Sequence, residues 1–463
     1  MRGLSGALDA GVPVGWRIGQ CSVAQHCAIR VDQSSSIICD VRWRKSRGAA
    51  TSARKPTSKE SLLKFLRRPK LAGIGVATLA AVICTTNAAD AARAYIGTYT
   101  VDPSLPRLTA TNHGEGIYLV DINNVTGAPS SPKLVAKTRS PTWIVLSADD
   151  KFLYAVNEIA SYGDSGSGSV TAFAVDRASG ALKQLNVVDS GGSGPCFVSI
   201  YPSGKFLLVA NYAGGSYAVI RIEADGSLGE TTDVVRPGGP MRVYDAVDKP
   251  VGMFSNMEPH GSRGHMILTD PSGQYVIGDD AGRDQIFVWK LDQDTGKLRE
   301  VSVTKSVPGA GPRHFAFSPD GKTLYQQQEE DSRLTVYRFA NGKLTQMGLS
   351  ISTLPDGFEG SSTTSELLID TSGKHLYGAN RNHDSIATMV VDADGKVTRI
   401  AGTHTEGTIP RSLTIDPSGK FLYSLNQGAS NVTVFSFGAN GVPKFTGKFL
   451  GLGTPTVMVF LPN

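Results

Sequence analysis

Residues 201–222 read YPSGKFLLVANYAGGSYAVIRI. Pro202 supplies a fixed φ and Gly204 a positive one, which is the chemistry of a tight turn. The apolar run from Phe206 to Ala210 then ends in an amide, Asn211, and after a small-residue turn the segment SYAVIRI alternates with period two. The stretch therefore predicts a turn between an inner and a second strand, followed by a third. Five further copies are SADDKFLYAVNE (147–158), DPSGQYVIGDDA (270–281), SPDGKTLYQQQE (318–329), DTSGKHLYGANR (370–381) and DPSGKFLYSLNQ (416–427). The turn lysine or its substitute falls at Lys151, Lys205, Gln274, Lys322, Lys374 and Lys420, at spacings of 54, 69, 48, 52 and 46 residues.

Each copy runs on into an alternating third strand such as DQIFVWKLD or SNVTVFSF, and weaker runs such as ALKQLNVVD and KLREVSVT supply a fourth. Four-stranded units at a period of about fifty residues are the signature of a β-propeller. A seventh unit is split: TPTVMVFLPN (454–463) resembles a first strand, while RAYIGTYT (93–100) and GIYLVDIN (116–123) resemble the second and third. A blade shared between the chain ends leaves no free sheet edge. The expected fold is all-β, a seven-bladed β-propeller over residues 92–463 whose last blade is closed by the N- and C-terminal strands.

A 40% hydrophobic and 19% charged chain excludes a disordered polypeptide and a multi-span membrane protein. The net charge of +5 is uneven: residues 1–70 hold 14 Lys and Arg against 4 Asp and Glu, and the rest hold 32 against 37. The propeller is thus mildly acidic, and no nucleic-acid partner is expected. Four cysteines precede residue 90, which leaves Cys196 alone in the propeller, unable to close a disulfide within it and without an adjacent base that would make it a nucleophile. Residues 61–91 read as a cleavable export signal: Arg67-Arg68-Pro69-Lys70, a short apolar run Leu71–Cys84, and a small-x-small site at Ala89-Asp90-Ala91. Residues 1–60 read as a basic extension, mis-started or disordered. The expectation is a periplasmic or secreted protein with no membrane contact after cleavage, or a cytoplasmic one if that segment does not act.

The repeat register also places a site. The start of each inner strand and the end of each second strand emerge on one face of a propeller. Eight residues before the turn glycine stand Thr142, Cys196, His265, Arg313, Ser365, Arg411 and, by analogy, Thr456; eight after it stand Glu158, Tyr212, Ala281, Glu329, Arg381 and Gln427, with Tyr99 from the split blade. The chemistry of this ring does not repeat as the turns do. One side gathers His265, Arg313, Glu329 and Arg381, with Arg411 beside them. A neutral imidazole or a carboxylate can move a proton, and guanidiniums can hold an acid group and an oxyanion. Each alone has a plainer reading, Arg313–Glu329 as a cross-strand ion pair and His265 as a hydrogen-bonded strand histidine. His314 is expected to point away from the channel, and His383 to brace a turn. The recurring Asn157, Asn211, Asp280, Gln328, Asn380 and Asn426 read as hairpin-end hydrogen-bonders. Asn380, beside Arg381, is also carried as a substrate-binding candidate together with Arg411, Glu158 and Tyr212.

With GPCFVSIYPSGKFLLVANYAGGS, GHMILTDPSGQYVIGDDAGRDQI, GPRHFAFSPDGKTLY, NRNHDSIA and IPRSLTIDPSGKFLYSLNQGASNVTVF, the chain resembles the seven-bladed propeller lactonase family. That family includes propeller-type 6-phosphogluconolactonase and 3-carboxy-cis,cis-muconate lactonizing enzyme. The resemblance implies a catalytic set of His265, Arg313, Glu329 and Arg381. Two departures stand out: His260 and His265 are five residues apart where the family has a closer pair, and Glu330 follows Glu329 as a competitor. The expected activity is hydrolysis of a small anionic or polyhydroxylated lactone, without metal or cofactor. The alternatives are the reverse closure of a lactone on a muconate-like diacid, and a non-catalytic exported binding propeller. Export speaks for a lactone other than a cytoplasmic sugar phosphate.

Overall fold

The computed structural model describes residues 92–101, 113–239, 241, 249–252 and 261–462. The export-signal reading and His260 therefore fall outside the described residues. Among the described residues all regular structure is β, in seven antiparallel sheets. The first blade comprises Pro141–Leu146, Phe152–Asn157, Ser169–Asp176 and Ala181–Asp189, paired in that order. The next five follow the same order, and Ile351–Ser352 adds a short extra strand to the fourth.

The seventh blade is built from both ends of the domain. Pro455–Leu461 is its inner strand and pairs antiparallel with Ala92–Thr98, which leads on to Gly116–Ile122 and Lys133–Lys137. Pro455–Leu461 touches the inner strands of the sixth and first blades, which closes the ring. The split blade is thus as the sequence reading placed it.

Neighbouring blades pack apolar faces together, for instance Tyr154, Val156, Val209 and Ile220 between the first two. A repeated polar pin fixes their spacing. The second-strand tyrosines Tyr95, Tyr154, Tyr377 and Tyr423 each donate a hydroxyl hydrogen bond to a turn glycine carbonyl on the following blade: Gly180, Gly226, Gly441 and Gly127, at 2.9–3.1 Å. Those glycines take φ of 69–82°. A Cβ on Gly226 would stand 2.1 Å from the Phe152 ring, so the turn needs both the left-handed backbone and the missing side chain.

The recurring amides do the structural work expected of them. Asn157, Asn211, Asn380 and Asn426 donate to the carbonyls of Arg139, Ser190, Thr353 and Thr405, all on the connection entering their own blade. Asn380 also bonds the hydroxyls of Thr353 and Ser385 and is fully buried. His383 braces a turn through Ser385 Oγ at 2.7 Å.

Removing one pin should be felt locally. Tyr423→Phe leaves the Gly127 carbonyl of the split blade without its buried donor and is expected to lower stability by about 1–3 kcal/mol, measured by denaturant unfolding. A midpoint equal to that of the unsubstituted protein would mean the pin contributes nothing.

Candidate active site

The site begins with a backbone irregularity. In all seven inner strands the pairing with the second strand slips by one residue just after its start. In the fourth blade Pro312 pairs with Gln328 and His314 with Gln327, so Arg313 is the extra residue. A bulge of this kind re-aims side chains that strict alternation would send to opposite faces. The extra positions fall at or next to Thr142, Cys196, His265, Arg313, Ser365, Arg411 and Thr456. In five blades a proline stands directly before this position: Pro141, Pro195, Pro312, Pro410 and Pro455. The residue before each of those prolines has a positive φ, including Ile409 at 54° and Thr454 at 40°. This entry is a strained one for β-branched residues.

Because of the bulge in the fourth blade, both Arg313 and the next residue, His314, face the channel. This corrects the expectation for His314, which does not point away. Its ring meets Trp143 and Phe197, from the first and second blades, at centroid distances of 5.4 and 5.7 Å. Trp143, Phe197 and His314 thus pack into a floor beneath the site.

Above that floor lies a cavity of about 290 Å³. Its walls include His265, Arg313, Glu329, Arg381, Arg411, Glu158, Tyr212, Tyr99 and Cys196. Seven of the eight residues carried forward from the sequence are therefore brought together. The exception is Asn380, whose amide is spent within its hairpin and which does not line the cavity. Between the two competing acids, Glu329 lines the cavity and Glu330 does not.

The charges fall into two clusters. Arg381 bonds Glu329 Oε1 directly, and Arg313 Nε stands 3.7 Å from Glu329 Oε2. Both guanidiniums are anchored from behind, Arg313 on the Ser365 carbonyl and Arg381 on the Thr364 carbonyl, each at 2.7 Å. In the second cluster Arg411 contacts Glu158 Oε2 at 3.1 Å, and the Tyr99 hydroxyl donates to Glu158 Oε1 at 2.8 Å. The Arg411 guanidinium also lies over the Tyr99 ring, 5.0 Å from its centroid. Tyr99 belongs to the sequence-predicted ring, but only the structure shows that it holds Glu158. Three guanidiniums against two carboxylates leave the cavity with an excess of positive charge.

Burial and these neighbours set the protonation states. Burial, reinforced by the Arg313 guanidinium and then by His314, holds His265 well below the ordinary histidine value, so the ring is neutral at physiological pH. Burial pushes the Glu329 carboxyl up, but Arg381 and Arg313 together outweigh it and hold the group below its usual value. Burial, with the Arg381 charge, draws Arg313 down to about 10, still protonated at neutral pH. Burial raises the Cys196 thiol far above its normal range, and its Sγ lies 3.3 Å from the His265 carbonyl, which argues against a nucleophilic role.

Several buried polar atoms at the cavity have no hydrogen-bond partner: His265 Nδ1, Arg313 Nε, Arg381 Nε and Glu329 Oε2. Such orphans are costly in a finished interior and cluster where ligands bind. Among the described residues no group of three or more His, Cys, Asp or Glu side chains is placed to hold a metal ion.

Comparison with known proteins agrees with this geometry. The family described as "Lactonase, 7-bladed beta-propeller" matches residues 93–460. The 6-phosphogluconolactonase of Bacillus subtilis is 32% identical over 321 residues, covering 68% of this chain and 83% of that protein. A second 6-phosphogluconolactonase, from Formosa agariphila, is 29% identical over 70% of this chain and 88% of its own. Among solved structures, the periplasmic gluconolactonase of Pseudomonas aeruginosa superposes with a TM-score of 0.70 at 28% identity, covering 80% of this chain and 99% of that one. The ring of seven blades, the bulged inner strands and the matched length together show that this chain belongs to the family of seven-bladed β-propeller lactonases.

Proposed function

We propose that the protein hydrolyses a small anionic or polyhydroxylated lactone of the sugar-acid type, using its own side chains in the cavity. The observation that carries this reading is the neutral His265 ring beside an Arg313–Glu329–Arg381 cluster with unpartnered atoms at one cavity. In the proposed reaction a water adds to the lactone carbonyl carbon while its proton passes to the free nitrogen of His265. The carbonyl oxygen becomes an oxyanion and is stabilised by the Arg313 and Arg381 guanidiniums. The tetrahedral species then collapses, the ring C–O bond breaks, and the departing oxygen takes the proton from His265 to give the hydroxy acid. Glu329, held ionised between two arginines, is a poor base; its role is to hold both guanidiniums in place. Arg411, Glu158 and Tyr99 form a second cluster on the cavity wall, and Tyr212 stands beside His265; together they offer donors and acceptors suited to a carboxylate or hydroxyl groups on the substrate.

Purified protein assayed on glucono-lactone and on 6-phosphogluconolactone, with the spontaneous rate subtracted, tests this assignment. His265→Ala is expected to lower kcat by roughly 10²–10⁴-fold, the range a general base contributes. Glu329→Gln is expected to lower kcat/KM through misplaced guanidiniums. Wild-type rates in both variants would remove the site from the reaction. No turnover of any lactone by the unsubstituted protein would remove the function.

The pH profile carries a second expectation. A base acts in its unprotonated form, so activity is lost as pH falls through the pKa of His265. That pKa lies well below 6.5, so kcat/KM should pass pH 6.5 without an inflection and fall only at lower pH. A half-maximal point at or above 6.5 would contradict the neutral-imidazole reading.

A further inference from the structure

The bulges of the fourth and fifth blades leave a polar pair that the reaction above does not use. His314 and Glu366 each follow the site position of their strand, and they are 1% and 5% exposed. His314 Nδ1 lies 2.9 Å from Glu366 Oε1, and Glu366 Oε2 accepts a hydrogen bond from Ser412 Oγ at 3.2 Å. An ionised carboxylate only accepts, so Nδ1 of His314 carries the hydrogen and Nε2 of the neutral ring is a bare acceptor. That Nε2 is buried and has no hydrogen-bond partner.

His265 meets the same ring edge to face, with centroids 4.9 Å apart. Its Nδ1 is likewise buried and unpartnered, and the residue lines the cavity. The two nitrogens are not hydrogen-bonded to each other in this structure, but they are of complementary kind, a potential donor and an acceptor, on two rings in contact. The rest of this layer makes the pair more telling. Trp143, Phe197 and Met266 fill the neighbouring positions with apolar side chains. A buried carboxylate and imidazole cost desolvation that hydrocarbon would not.

We propose that Glu366 and His314 are positioning residues for His265: the carboxylate fixes the tautomer of His314, whose Nε2 accepts from His265 Nδ1–H and so leaves His265 Nε2 bare toward the attacking water. This rests on the reading of His265 as the base. The proton taken from water stays on His265 Nε2 until it passes to the departing ring oxygen, and no proton has to leave the imidazole pair. During that interval Glu366, through His314, balances the imidazolium charge. From the cavity side the charged groups that bear on His265 are Arg313, Arg381 and Arg411, all of which oppose that charge. Tyr212 and Cys196 stand beside it with phenol and thiol held protonated by burial. His314 faces Arg313 and Arg411 as well, so Glu366 is the acid that favours its charged form.

Nitrogen-15 NMR of histidine-labelled protein reads the tautomers without any assay. The expected result is an Nδ1–H tautomer for both His265 and His314; an Nε2–H tautomer at His265 overturns the proposal. Kinetics supply the second readout. Glu366→Gln keeps an acceptor for His314 but removes the charge, and it is expected to lower kcat roughly tenfold or more, within the ~10²–10⁴ that a general base contributes, while KM changes little. His314→Phe preserves the ring packing against Trp143 and Phe197 and should lower kcat in the same way. Wild-type kcat in either folded variant, measured on a lactone the unsubstituted protein hydrolyses, overturns the relay and leaves the proposed function standing. An unsubstituted protein inactive on every lactone defeats the function instead, and the tautomer measurement still decides the pairing.

Discussion

The antiparallel pairing of Pro455–Leu461 with Ala92–Thr98 is the contact on which the rest of the molecule depends. Six blades laid side by side would present an open edge and a channel with a gap in its wall. The seventh needs strands from both ends of the domain, so its pairing joins segments more than 350 residues apart in the chain. That closure brings Tyr99, on the connection after Ala92–Thr98, against Glu158 of the first blade. One wall of the cavity is thus completed by the closure of the ring.

Within the ring the decisive detail is smaller. A one-residue slip stands at the head of every inner strand, and in the fourth blade it turns two successive side chains inward. In the second, third, fourth and sixth blades the upper member of the pair, Cys196, His265, Arg313 or Arg411, lines the cavity, and Trp143, Phe197 and His314 among the lower members build the floor. In the fourth blade the pair is Arg313 and His314; in the fifth it is Ser365 and Glu366 and in the first Thr142 and Trp143, where the upper residue is buried outside the cavity. A strand with strict alternation would have offered one of each pair to the channel and buried the other between blades.

This distinction marks what could be read from the sequence. Strand order, blade number and the split blade follow from the spaced turns and from alternation, both of which are local properties of the chain. The ring of mouth positions followed from counting outward from the turn glycine, and it selected His265, Arg313, Glu329, Arg381, Arg411, Glu158 and Tyr212. Alternation then misassigned His314, because a bulge changes parity without changing the count from the turn. The floor of Trp143, Phe197 and His314 was hidden for the same reason. A proline directly before the site residue in five blades was the available signal, since proline suits the first residue of a strand. Asn380 failed differently: its neighbour Arg381 faces the cavity, whereas its own amide is bonded to Thr353 and Ser385.

The repeated slip has a consequence for how such a molecule changes over generations. Of the seven equivalent sockets, the four occupied by Cys196, His265, Arg313 and Arg411 open on one chamber, whereas Thr142, Ser365 and Thr456 fill the other three as buried side chains that do not line it. The frame around each socket is set mainly by backbone pairing, although some occupants also brace a neighbouring strand, as Ser365 does on the Pro410 carbonyl. Selection can therefore rewrite substrate preference one socket at a time, and a designer could do the same.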